Sequence, residues 1–226
     1  MTPFPTETVV RRWHGDETIV VAATGPSLTP DVAQAVAGYP VVAVSDAWRL
    51  IPEAAILYSC DAAWWRVHDG CRTFAGERWS CHGGNDRNDK APIARDYGVR
   101  LVAGALGDTF STDPTRIHFG NNSGFQAINL ALLMGARRLV LVGFDMRVVD
   151  SKRHFFGDHP RPLSNAIDYR YFAPQFLAAA RALAPDVTIL NATPDSALKA
   201  WPIVPLGDAL APHRHHVAAN ADQVLA

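Results

Sequence analysis

The chain has 226 residues, 48% of them hydrophobic and 19% charged, which is enough apolar material to bury a sizeable core and too much for a disordered chain. A formal charge of −1 and a pI near 6.7 give no global basic field, which argues against nucleic acid or an anionic membrane as partner and confines any phosphate contact to a local site. Cys60, Cys71 and Cys81 form no CxxC pair, so neither a disulfide framework nor a thiolate zinc site is expected. Reduced thiols in a cytoplasm are the simpler reading.

Residues 1–16 carry prolines, Arg11, Arg12 and acids rather than an apolar signal core, and no later run is apolar enough to span a bilayer. They read as an N-terminal extension. Residues 18–23 (TIVVAA) form a short β-branched run that stops at Thr24, Gly25, Pro26 and Ser27, after which Pro30 opens a helical stretch over 31–38. Residues 40–45 (PVVAVS) and 54–59 (AAILYS) repeat the pattern, each ending in a polar residue beside an acid, Asp46 and Asp61. Such continuous apolar runs suit buried parallel strands. Across 71–115 the period is broken, and 99–103 is the one strand expected there.

The clearest unit spans 122–143: a polar entry, a helix with Phe125, Ile128, Leu132 and Leu133 on its apolar positions, then the strand RLVLV at 138–142. Residues 150–165 are rich in Arg, His, Asp, Pro and Gly and predict a long loop, of the kind that usually carries function. An Ala-rich helix over about 169–183, a last strand at 187–190, short helical pieces over 193–210 and a flexible tail at 212–226 complete the chain. His213, His215 and His216 in that tail read as solvated rather than as a metal site. Alternating strand and helix without repeats implies an α/β chain with a Rossmann-like doubly wound, mostly parallel sheet in a single domain over 17–211, its ligands gathering at the carboxyl ends of the strands.

Four groups at those ends can carry chemistry. Gly25 permits close backbone approach, and the turn of Thr24, Gly25, Pro26 and Ser27 faces a helix N-terminus that offers N–H groups to an anion; alternatively it is a tight turn with Ser27 as a helix cap. Asn122, Ser123 and Gly124, together with Asn121, would present a second set of donors, or simply cap their own helix. Asp145, with Arg147 close behind it, and Asp61 are strand-end carboxylates able to accept from ligand hydroxyls or to hold a divalent metal, or to cap the next helix. In the loop, either His154 or His159 is placed to remove a proton from an acceptor hydroxyl, with Asp158 to orient one of them and Arg147, Lys152 and Arg153 to neutralise phosphate.

In order along the chain, ATGPSL, NNSGFQAINLALLMGARRLVLVGFDM and HFFGDH resemble the bacterial sialyltransferases that use CMP-sialic acid and the related 6-hydroxymethylpterin diphosphokinase-like proteins, which include phage and prophage members. The resemblance implies that Gly25, Ser27, Ser123, Gly124 and Asp145 bind nucleotide and that His159 or His154 is the base. Thr24 stands where those enzymes place an asparagine, Ser45 or Asp46 where they place another, and Arg147 where they place a tyrosine. The resemblance thus implies a transferase that moves a sugar from a CMP-type donor to a hydroxyl acceptor, on a small molecule or a glycan, without a metal. Two alternatives stay open: a diphosphokinase using ATP and Mg2+ with Asp145 or Asp61 bridging phosphates, and a non-catalytic nucleotide-binding accessory protein of phage type. Symmetric homo-oligomers are common among such proteins.

Overall fold

The computed structural model describes residues 5–83, 90–164 and 169–211. The tail at 212–226, with its three histidines, and most of the charged run before Lys90 lie outside the described residues. Eight strands form one sheet: β1 (Thr18–Ala22), β2 (Val41–Val44), β3 (Ile56–Tyr58), β4 (Glu77–His82), β5 (Arg100–Ala105), β6 (Arg116–His118), β7 (Arg138–Val142) and β8 (Thr188–Asn191). Their order is β6-β5-β4-β3-β2-β1-β7-β8, and every pairing is parallel.

The helices are α1 (Pro30–Ala35), α2 (Ala62–Val67), α3 (Ala91–Tyr97), α4 (Ser123–Leu133), α5 (Tyr169–Arg181) and α6 (Leu206–Leu210). From β1 to β6 the chain steps outward in one direction, and α1, α2 and α3 cover one face. Val20, Ala22, Ala43, Leu57, Val140 and Val142 point into that layer with Trp65 and Ile93. Helix α4 then returns the chain across the opposite face to β7, beside β1, and α5 follows it there. Ile19, Val21, Val44, Tyr58, Leu139 and Leu141 pack under Phe125, Ile128 and Phe176. Reversal of winding direction puts helices on both faces, as parallel crossovers of one hand require. It also leaves a crevice beyond the carboxyl ends of β1 and β7, the switch point of the topology.

Two strands appear where none was expected, β4 and β6, and helix α3 lies between them in the stretch that lacked a period. The strand expected at 99–103 is present as β5, and the expectation that it is the one strand within 71–115 is corrected. The sequence ERWSCH of β4 mixes apolar Trp79 and Cys81 with polar neighbours, while β6 is a three-residue edge strand with Ile117 as its only buried residue. Residues of the N-terminal extension dock on the sheet as well: Val9 and Trp13 are buried, and the backbone N–H groups of Arg12 and Trp13 donate to the Met134 carbonyl at the end of α4.

Candidate functional site

The carboxyl ends of β1, β2, β3 and β7, the start of α4 and the loop after β7 surround a cleft of about 330 Å³. Of the residues singled out in the sequence, Thr24, Gly25, Ser45, Asp61, Asn122, Ser123, Gly124, His154 and His159 line it. Backbone conformations that L-residues rarely adopt collect on its wall: Ser45 at φ 47°, Asn121 at 53° and Met146 at 51°. Three such outliers around one cavity make it the candidate site.

The first turn is built around a carboxylate of the chain itself. Asp145 leaves β7 and accepts from the Ser27 hydroxyl (2.7 Å) and from the Ser27 backbone N–H (3.2 and 3.3 Å to its two oxygens). Gly25 is required by that approach, because a Cβ there would overlap Asp145 Oδ2. Ser27 and Asp145 therefore saturate one another behind the cleft, and Pro26 and Arg147 do not line it either. The cap of α1 is Thr29, whose hydroxyl accepts from the Val32 N–H at 3.3 Å, so Ser27 does not cap that helix. Burial pushes the Asp145 carboxyl above its ordinary range, against the pull of the Ser27 bonds.

At the second turn, Asn122 caps α4 by accepting from the Phe125 N–H at 3.1 Å. Ser123 ties the helix to β3: its hydroxyl donates to Cys60 Sγ (3.0 Å) and accepts from the Cys60 N–H (3.1 Å). The first-turn N–H groups of α4, which no carbonyl within the helix can satisfy, lie at the cleft wall with Gly124. Asp61 caps α2 through one oxygen, accepting from the Ala63 N–H at 2.9 Å.

The loop after β7 folds back over these ends. Its Phe155 N–H donates to the Thr24 carbonyl at 2.9 Å, and Thr24 Oγ1 lies 2.9 Å from His154 Nδ1. His154 stacks on Phe156, with ring centroids 5.0 Å apart, and meets His159 at 4.6 Å. Burial, reinforced by the neighbouring His159, lowers His154 to about 4, so its ring is neutral at ordinary pH.

His159 faces Asp46 across the cleft wall, Nδ1 to Oδ2 at 3.6 Å. Asp46 is 1% exposed and receives the Trp64 indole N–H on the same oxygen at 2.7 Å. Its other oxygen faces Arg49 at 3.5 Å and His68 at 3.6 Å. Burial lowers His159, and Asp46 opposes that shift. Asp158, the acid expected to orient a histidine, is 64% exposed and lies 3.5 Å from Arg153; the carboxylate set against a loop histidine is Asp46, from the end of β2.

Sequence reasoning left out several wall residues. Cys60 lines the cleft, its thiol pushed up to about 11 by burial and by nearby Cys81. Tyr169 and Phe172, at the start of α5, close one side, and Trp64 supplies the hydrogen bond that fixes Asp46. His68 carried no signal at all. Adjacent aromatics at 64 and 65 gave the single hint, since an indole buried beside a carboxylate must find an acceptor.

Among the described residues no group of three or more His, Cys, Asp or Glu side chains is placed to hold a metal ion, and no helix is long and apolar enough to cross a membrane. The arrangement is that of an α/β, Rossmann-like fold with a cleft at its topological switch point. No protein-family model matches the chain, and no curated protein matches it. In fold it is similar to the MAf glycosyltransferase from Magnetospirillum magneticum AMB-1, with a TM-score of 0.57 and 11% identity, over 87% of this chain and 35% of that one. The chain thus spans about a third of the length of that structure, and the likeness is one of fold.

Proposed function

We propose that the chain is a transferase of the glycosyltransferase type, which binds a nucleotide-activated sugar in the cleft and passes the sugar to a hydroxyl acceptor. The observation that carries this reading is the His159–Asp46 pair. At 3.6 Å the Asp46 charge favours the imidazolium, and closing that gap to hydrogen-bond length on substrate binding would hold the Nδ1–H tautomer and leave Nε2 to take a proton. The acceptor O–H then gives its proton to His159 Nε2 as its oxygen bonds to the anomeric carbon; the bond from that carbon to the phosphate oxygen breaks, and the nucleotide leaves with the electron pair.

Charge count favours a donor with one phosphate, of the CMP type. Arg153 is the one arginine on the described wall of the cleft, and the start of α4 adds roughly half a positive charge. Asp61 on the same wall subtracts a charge, so the wall matches a phosphodiester better than a diphosphate. The magnesium-dependent diphosphokinase alternative would use Asp145 or Asp61, but Asp145 is engaged by Ser27 and Asp61 by the α2 cap. The fold likeness to a glycosyltransferase agrees with the transferase reading.

The test is His159→Gln and Asp46→Asn, assayed for sugar transfer and for nucleotide affinity. Loss of a general base lowers kcat by ~10²–10⁴ while leaving the nucleotide Kd nearly unchanged. Equal losses of binding and turnover would remove His159 from the role of base, and undiminished turnover would refute the reading outright.

A further inference from the structure

Asp46 joins two imidazoles, and the catalytic proposal uses only one of them. Its Oδ2 faces His159 at 3.6 Å in the cleft and its Oδ1 faces His68 Nε2 at 3.6 Å on the far side. His68 stands at the C-terminal cap of α2, its ring laid against Trp64 with centroids 4.5 Å apart. Its side chain is 18% exposed, yet Nε2 is buried and makes no hydrogen bond among the described residues. Trp64 thus holds both the carboxylate, through its indole N–H, and the second histidine, through its face.

We infer that His68 is a positioning residue that sets the basicity of His159 through the carboxylate they share. The inference rests on the transferase reading for its catalytic meaning. A single anion between two rings stabilises one added proton well and a second one poorly, because the two imidazolium charges then repel. The pair takes its first proton on either ring, and His159 holds only part of it. The other charged groups around His159 are Asp61, Asp158, His154 and Arg153 on the cleft side; Arg49 faces Asp46 beside His68. None of these bridges the two rings as Asp46 does. Sharing keeps His159 unprotonated, and hence able to act as base, to lower pH than Asp46 alone would allow.

The experiment is an NMR titration of the histidine ring resonances in the full chain, with His159 assigned by His159→Gln, for the parent, His68→Gln and His68→Phe. The phenylalanine variant keeps a ring on Trp64 and so separates packing from titration. Removing His68 raises the His159 midpoint by ~0.5–1 pH unit and abolishes the step that His159 shares with His68. In both variants the acidic limb of kcat/KM moves up by the same amount, lowering turnover at pH 6 several-fold while leaving it unchanged at pH 8. A purely structural role would lower turnover at every pH without moving the midpoint. A His159 midpoint that stays at its parent value in both variants overturns the inference; a midpoint that moves in a protein that transfers no sugar overturns the transferase reading instead.

Discussion

Replacing Gly25 by alanine puts a Cβ on top of Asp145 Oδ2 and 2.5 Å from the Gly143 carbonyl oxygen. Neither neighbour can yield easily. Gly143 sits at φ 71°, and a Cβ on it would strike the Ala23 carbonyl, so its backbone is already confined between β1 and β7. Asp145 is held by the Ser27 hydroxyl and backbone N–H. Moving the carboxylate breaks a charge-assisted bond of ~1.5–3 kcal/mol, and the accompanying backbone shift adds ~1–3 kcal/mol. For a chain of this length each kcal/mol is worth roughly 2–4 °C, so Gly25→Ala lowers Tm by ~5–24 °C. Ser27→Ala, which removes the hydroxyl bond alone, lowers it by about half as much. Melting followed by circular dichroism reads both. A Gly25→Ala protein that melts within about 2 °C of the parent refutes the argument that the turn is built to clamp Asp145.

Three further outcomes follow from buried groups. His154 titrates at about 4 in the folded chain against about 6.5 unfolded; the unfolded chain therefore binds the extra proton, so this contribution is full above pH 6.5 and is lost as pH falls towards 4. Urea unfolding between pH 7.5 and 4.5 shows that loss, up to ~3 kcal/mol, and His154→Gln flattens the slope relative to the parent. Tyr58→Phe removes a buried hydroxyl that donates to Gln126 Oε1 at 2.6 Å, lowering stability by ~1–3 kcal/mol with an unchanged denaturant m-value. Cys60, half-buried on the cleft wall and raised from 9.0 to about 11, alkylates with iodoacetamide at pH 7.5 about a hundredfold more slowly than a thiol of ordinary pKa; rapid stoichiometric labelling would contradict the raised pKa.

The legible parts of the fold were those where one physical signal dominates. Strands β1, β2, β3 and β7 are buried on both faces and read as unbroken apolar runs, and α4 follows a polar entry whose Asn122 does cap it. Strand β4 was hidden because Glu77 and Arg78, at its start, are only partly buried: Glu77 forms ion pairs with Arg12 and Arg100, and Arg78 hydrogen-bonds the Gly70 carbonyl. Three residues of β6 are too few to show a period. In the site, strand-end positions were legible from topology, since Asp46, Asp61 and Asp145 each follow an apolar run. Their partners were not. Asp145 meets Ser27 across 118 residues, and the carboxylate facing His159 comes from β2 rather than from adjacent Asp158, whose side chain points to solvent and Arg153. Sequence adjacency in an irregular loop fixes no side-chain direction, and pairing across the sheet is a property of the folded chain.

The proposed function puts a nucleotide with a single phosphate, and no metal, in the cleft beyond β1 and β7. Thermal melting with CMP, CDP, UDP, GDP, ADP or ATP, each in EDTA and in magnesium, addresses it most directly, because a ligand that binds only the folded chain raises Tm. CMP at a hundred times its Kd stabilises by ~2.7 kcal/mol, which raises Tm by roughly 5–10 °C to the same extent with and without magnesium. Stabilisation by ATP alone and only with magnesium, or by none of the six, contradicts the account.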